Sequence, residues 1–158
     1  LRKKVLTASS AVISSSFDFK VTSASNNLLN IDVTCDGLSK SPGVTWSSVP
    51  STAKSLILIM DTIPGPARPG ETQTGNHYYI SKFNISPTMN GFTEGAITPY
   101  SPPCSQGPGA KEYRFFLFAM DKLLPTDQKS DGAALMEIGE SQAIAKATHI
   151  YAYSRSAK

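Results

Sequence analysis

Charge is scarce in this 158-residue chain: Lys, Arg, Asp and Glu together make up 17% of it, and the net charge is +3. Much of the positive excess sits at the two ends, in Arg2, Lys3 and Lys4 and in Arg155 and Lys158. No other stretch concentrates Lys and Arg as a surface that tracks phosphates requires, so nucleic acid is not an expected partner. Long apolar runs are also missing. None approaches the roughly 20 residues of a spanning helix, and no integral membrane segment is expected. The basic opening is followed by Val5, Leu6 and small residues, but Thr7, Ser9 and Ser10 interrupt what would be the apolar region of a signal peptide. Residues 1–14 therefore read as an N-terminal arm, and the compartment as cytoplasmic, with the periplasm as the alternative.

Cysteine and histidine are rare. Cys35 and Cys104 lack the close spacing of a zinc or redox motif, so no metal site is expected. The two are expected as buried thiols, or as a disulfide if the chain is exported. There is no nucleophile elbow, zinc-binding helix, Walker loop or dinucleotide glycine loop. No catalytic residue and no cofactor are expected. A hydrolase that uses Cys104 with His77, or Asp61, is the enzyme alternative.

What is present is enough apolar residue, 40%, for one core in a single domain over 1–158. Alternating segments at Ser16–Val21 and Leu29–Cys35 predict half-buried strands. Asp36-Gly37 and Ser41-Pro42-Gly43 predict turns, and Val44-Thr45-Trp46 a short strand. The unbroken run Leu56-Ile57-Leu58-Ile59-Met60 predicts a strand buried on both faces, ending on Asp61. Residues 62–76 hold almost nothing apolar and read as a long loop of a length that implies function or mobility. Strands are expected again at His77–Ile85 and Glu112–Asp121, then a helix capped by Ser130 or Asp131 that runs to about Lys146, then a final strand at His149–Tyr153. Gly139 should weaken that helix by about 1 kcal/mol. Asn84-Ile85-Ser86 matches a glycosylation acceptor, read as chance at the end of a strand. The order of elements predicts a mainly β domain with one late helix.

Asp61 and His77 are the sharpest candidates for chemistry. An acid at the end of an apolar strand must be solvated, hydrogen-bonded or paired. On that ground alone, capping the Thr62-Ile63 turn is the simpler role. His77 and Tyr79 fall on one face of their strand and can offer donors to an anion. His149, with no acid nearby in sequence, reads as structural.

In order, these landmarks resemble the bacterial branch of the phosphatidylethanolamine-binding protein family. The likeness runs through Thr34-Cys35-Asp36-Gly37, Ser41-Pro42, Trp46, Val49-Pro50, the strand delivering Asp61, Phe83-Asn84-Ile85, Glu94-Gly95, Pro103-Cys104, Tyr113 to Asp121, and Tyr153-Ser154-Arg155. The resemblance implies a β-sandwich-like fold of antiparallel sheets with one C-terminal helix. It also implies a small pocket for phosphate or a phospholipid head group. Asp61 then falls at the family's pocket carboxylate, Tyr113 at its pocket tyrosine, and Pro102, Pro103 and Cys104 in its proline-rich loop. Where the family has its two pocket histidines, this chain has Tyr79 and Lys111, with His77 two residues before Tyr79. The implied function is non-catalytic binding of a small anionic ligand by Asp61, His77, Tyr79, Lys111 and Tyr113. The alternative is a regulatory module that inhibits a kinase or protease through loops 62–76 and 99–111.

Overall fold

The computed structural model describes residues 16–104 and 109–154. The first strands are β1 (Asp18–Val21), β2 (Ala24–Ser25) and β3 (Leu28–Leu29). Asn26 and Asn27, both with positive φ, close the β2–β3 hairpin, as a two-residue turn of this hand requires. A single 3-10 turn over Ile31–Val33 precedes β4 (Val44–Ser47). Then come β5 (Ser55–Thr62), β6 (His77–Ile85), β7 (Gly91–Phe92), β8 (Lys111–Met120), the helix α1 (Gly132–Gln142) and β9 (Ala145–Tyr153).

Two sheets form. One has the order β1-β4-β7 and the other β2-β3-β9-β8-β5-β6, antiparallel throughout except where β3 runs parallel to β9. The fold is thus mainly β with one α-helix among the described residues. Strand β5 is buried along its whole length and splits its side chains between two cores. Leu56, Leu58 and Met60 join Phe19, Val44 and Trp46 between the sheets. Ile57 and Ile59 join Phe118 and Leu135 beneath α1. An unbroken apolar run is what a strand covered on both faces needs, so the sequence pattern and the layer order agree.

Four expectations change. The segment Leu29–Cys35 is not a strand: after Leu29 it turns, because the Thr34 hydroxyl donates to the Ile31 carbonyl at 2.7 Å and accepts from Asp36 N at 3.2 Å. A local side-chain bond of this kind competes with a ladder. The helix stops at Gln142, not near Lys146, and β9 begins at Ala145. Asp131 caps the helix by accepting from Ala134 N. Gly139 is a requirement of packing rather than a weak point: a Cβ there would lie 2.5 Å from Phe118. The two cysteines are not thiols. Cys35 and Cys104 form a disulfide with their Cα atoms 5.2 Å apart. The N-terminal arm, residues 1–14, lies outside the described residues, as does Arg155.

His149 does have an acid partner, supplied from 131 residues away. Its Nε2 lies 2.7 Å from Asp18 Oδ1, and its ring stands edge-on to Phe19. The Asn84 amide is occupied on both sides by Leu124 backbone, donating to its carbonyl at 2.9 Å and accepting from its N–H at 2.8 Å.

Candidate functional site

The end of β5 meets β6 on one side and β8 on the other, and the register there decides what Asp61 touches. Asp61 lies opposite Arg114 of β8 and Tyr78 of β6. Its carboxylate is fully buried. Arg114 Nε donates to Oδ1 at 2.8 Å and Arg114 Nη2 to Oδ2 at 2.7 Å, a bidentate pair. Asn76 Nδ2 adds a third bond to Oδ2 at 3.2 Å. Asp61 is therefore neither a turn cap nor an open acceptor; both its oxygens are committed. The bond to Asp61 raises the Arg114 pKa further above its ordinary value. The guanidinium also stacks on Phe116, 4.9 Å from its ring centre.

A register shift between Met60 and Asp61 places Ile80 opposite Met60 but Tyr78 opposite Asp61. Tyr79 is the extra residue of this bulge. As a result Tyr79 and Ile80, neighbours in sequence, both pack against the inter-sheet core, while Tyr78 joins the core under the helix. A bulge near a strand end re-aims a side chain in this way. The Tyr79 ring stands edge-on to Tyr113, with centroids 5.5 Å apart.

Tyr79 and Tyr113 belong to a cluster of phenols. Burial pushes the Tyr113 hydroxyl up to about 12, with Tyr79 and Tyr153 adding to the effect. Burial also raises Tyr100, then Tyr113 and Tyr79 do so. Tyr79 is raised by burial and by the Asp61 charge. All three stay protonated at neutral pH and can act as donors. Tyr100 spends its proton on the Val33 carbonyl at 2.6 Å. Among the described residues, the hydroxyls of Tyr79 and Tyr113 have no hydrogen-bond partner, although Tyr113 is only 1% exposed.

The proline-rich loop runs beside them. Ser101 N donates to the Tyr79 carbonyl at 3.2 Å. Pro103 is buried, Pro102 half-buried, and the Pro103 carbonyl accepts from Cys35 N at 3.0 Å. Cys104 is held by its disulfide, so in this state it offers no thiolate. Between β6 and this loop lies a cleft of about 310 Å³ lined by Tyr78, Tyr79, Ser81, Pro99, Tyr100, Ser101 and Ser130. Lys111 is half-buried, two residues before Tyr113 on the same strand. His77 is exposed at the first residue of β6, opposite Thr62, and its side chain makes no hydrogen bond among the described residues. The structure thus brings together Tyr79, Tyr113 and the proline-rich loop, sets Asp61 behind them in an ion pair, and leaves His77 at the rim.

Three participants escaped sequence reasoning: Arg114, Asn76 and Tyr100. Arg114 carried a usable signal, since a lone cation in an apolar strand needs a partner as much as Asp61 does. Among the described residues, no group of three or more His, Cys, Asp or Glu side chains could hold a metal ion. No helix among them is long and apolar enough to cross a membrane.

A family model described as phosphatidylethanolamine-binding protein matches residues 20–154. A UPF0098 protein of Chlamydia muridarum is 31% identical over 134 residues, covering 77% of this chain and 87% of that one. A UPF0098 protein of Methanothermobacter thermautotrophicus is 30% identical over 140 residues, with the same coverage. Among solved structures, a putative phosphatidylethanolamine-binding protein homolog from Chlamydia trachomatis, CT736, superposes with a TM-score of 0.77 at 25% identity, over 90% of this chain and all of that one. E. coli YbcL shares the fold, with a TM-score of 0.72 at 20% identity over 89% of this chain and 99% of that one.

Proposed function

Because this chain belongs to the phosphatidylethanolamine-binding protein family, we propose that it is a non-catalytic binding protein for a small anion of the phosphate or phosphate-ester kind. The observation that carries this reading is the Tyr113 hydroxyl, buried and without a hydrogen-bond partner among the described residues. An unpaired buried hydroxyl costs about 1–3 kcal/mol, a cost that a bound acceptor removes. Tyr79 sits within ring contact to offer a second neutral donor. Asp61, with both oxygens held by Arg114 and Asn76, orients the strands around the site and does not meet the ligand. The disulfide supports an oxidising compartment, the periplasmic alternative rather than the cytoplasmic expectation.

The test is a titration with inorganic phosphate and with phosphoethanolamine, followed by NMR at Tyr79 and Tyr113. Tyr113→Phe keeps the ring and removes the hydroxyl. A hydrogen bond to a charged acceptor contributes about 1.5–3 kcal/mol, so affinity should fall at least tenfold. Unchanged affinity in Tyr113→Phe, or no saturable response in the native chain, refutes the reading.

A second reading, a regulatory module acting on a kinase or protease, draws on residues 63–76. This loop is largely exposed and carries its own bonds, Ala67 N to Gln73 Oε1 at 2.8 Å and Arg68 N to Glu71 Oε1 at 3.2 Å. Deleting its tip should abolish capture of such a partner and leave phosphate binding intact; retention of capture rules the reading out.

A further inference from the structure

We propose that the opposite face of β8 carries a second binding site, for a small carboxylic acid that also bears an ammonium group, an amino-acid-like zwitterion. The site is a cleft of about 410 Å³ walled by Ile63, Ala110, Lys111, Glu112, Arg114 and Ala152. Neither Tyr79 nor Tyr113 lines it. Its volume falls in the range of small-molecule pockets.

The cleft exists for a local reason. Strand residues alternate in direction, so Glu112 and Arg114 share the face that Tyr113 does not use. Opposite them on β9 stand Ala152, facing Glu112, and Ile150, facing Arg114. The small side chain of Ala152 leaves the space that a larger residue would fill. Ile63, 57% exposed, stands on the far wall just past the end of β5.

Its donors are pre-aligned. A guanidinium has five N–H groups in a fixed plane. Asp61 takes two of those on Arg114, from Nε and Nη2, and the Phe116 ring covers one face of the group. The Nη1 edge therefore points away from Asp61, fixed in direction and with no hydrogen bond among the described residues, while the charge of Glu140 also acts on the group. The Arg114 side chain is 27% exposed and lines the cleft. A carboxylate meeting that edge finds donors whose orientation is already set, which lowers the ordering cost of binding.

Charge selects the class of ligand. Glu112 is exposed, and its carboxylate has no ion pair or hydrogen bond among the described residues; its backbone carbonyl accepts from the Thr62 hydroxyl at 2.6 Å. Glu112 disfavours an anion that carries no ammonium, and Arg114 and Lys111 disfavour an amine that carries no carboxylate. A zwitterion satisfies both signs. Glu112 and Arg114 are two residues apart on one face, about 7 Å along the strand. One small amino acid spans that separation with a hydrogen bond at each end, and its side chain lies on Ile63, Ala110 and Ala152.

The experiment is an NMR titration of the full chain with L-alanine, propionate and ethylamine, observing the Arg114 side chain and the amides of 110, 112, 114 and 152. L-Alanine should saturate with a Kd of about 1 mM, propionate should bind at least tenfold more weakly, and ethylamine should give no response. Glu112→Gln, at an exposed position that should not disturb folding, should bring L-alanine down to the level of propionate. Ala152→Leu should close the cleft to both. A non-saturable L-alanine response overturns the proposal, as does equal L-alanine affinity in Glu112→Gln. This outcome is separate from the Tyr113 titration, which reads the other face of the strand.

Discussion

The pairing of Asp61 with Arg114 should be strongly asymmetric, because the two partners are buried to different degrees. Asp61 is fully buried, whereas the Arg114 side chain is 27% exposed. Arg114→Met removes two charge-assisted bonds and leaves the carboxylate, among the described residues, with the 3.2 Å bond from Asn76. Orphaning a buried charge costs about 3–5 kcal/mol. At about 2–4 °C per kcal/mol for a chain of this size, Tm should fall by roughly 6–20 °C. Asp61→Asn should cost about 1–3 kcal/mol, because Arg114 can turn part of its charge to water. Asp61→Asn with Arg114→Met should cost less than the sum, with a coupling of about 1–3 kcal/mol. Urea unfolding of the four proteins at pH 7 measures all of this. Equal losses in the two single variants, or strict additivity, would refute the assignment of a buried ion pair.

Other outcomes follow from the same fold. Replacing both Cys35 and Cys104 by Ser removes a link that closes 69 residues of chain, and the chain-entropy model puts the loss at about 4 kcal/mol. Thermal melts of the double variant, with thiol counting on the native chain under non-reducing conditions, check this; two free thiols in the native chain would contradict it. Gly139→Ala should destabilise by about 1–3 kcal/mol despite the better helix propensity of Ala, since the new Cβ meets Phe118 at 2.5 Å; a stabilised variant in urea would show that the helix can shift. The Asp18 pKa is lowered, chiefly by its hydrogen bond to His149. The stability it contributes is present above its unfolded value of about 3.8 and is lost as pH falls through the folded one. The Tm gap between the native chain and Asp18→Asn should therefore close below about pH 3.8, and a gap that persists at lower pH would count against the pair.

The parts of this fold that were legible are those written by periodicity. The run from Leu56 to Met60 marked a strand covered on both sides, and the two cores on its alternate faces account for every residue of it. Asp131 announced the helix start because a cap is a local event. What was hidden depends on register or on distance. Asp61 meets Arg114 only because β5 and β8 pair in one alignment, and Asp18 meets His149 only because β1 packs against β9. The two-residue strand β7 is too short to carry a pattern, and it exists because Val44 and Thr45 lie opposite Phe92 and Gly91. The segment after Leu29 alternated like a strand, yet the Thr34 side chain turned it. Of the site, the residue types at Asp61, Tyr79 and Tyr113 were readable in order along the chain. That Asp61 is already neutralised, and that the tyrosine hydroxyls are the open donors, was not.

The Cys35–Cys104 bond has one more effect, which concerns connectivity rather than stability. It makes a covalent ring of everything from residue 35 to residue 104, and the exposed loop 63–76 lies inside that ring. A protease that cuts this loop therefore opens the ring without releasing a fragment. The nicked protein keeps both pieces and gains only the mass of one water, and the β5–β6 and β5–β8 ladders need not separate. If the loop is a docking element, a single cleavage there would alter what the surface presents while the tyrosine cluster and the proline-rich loop stay joined to the same molecule.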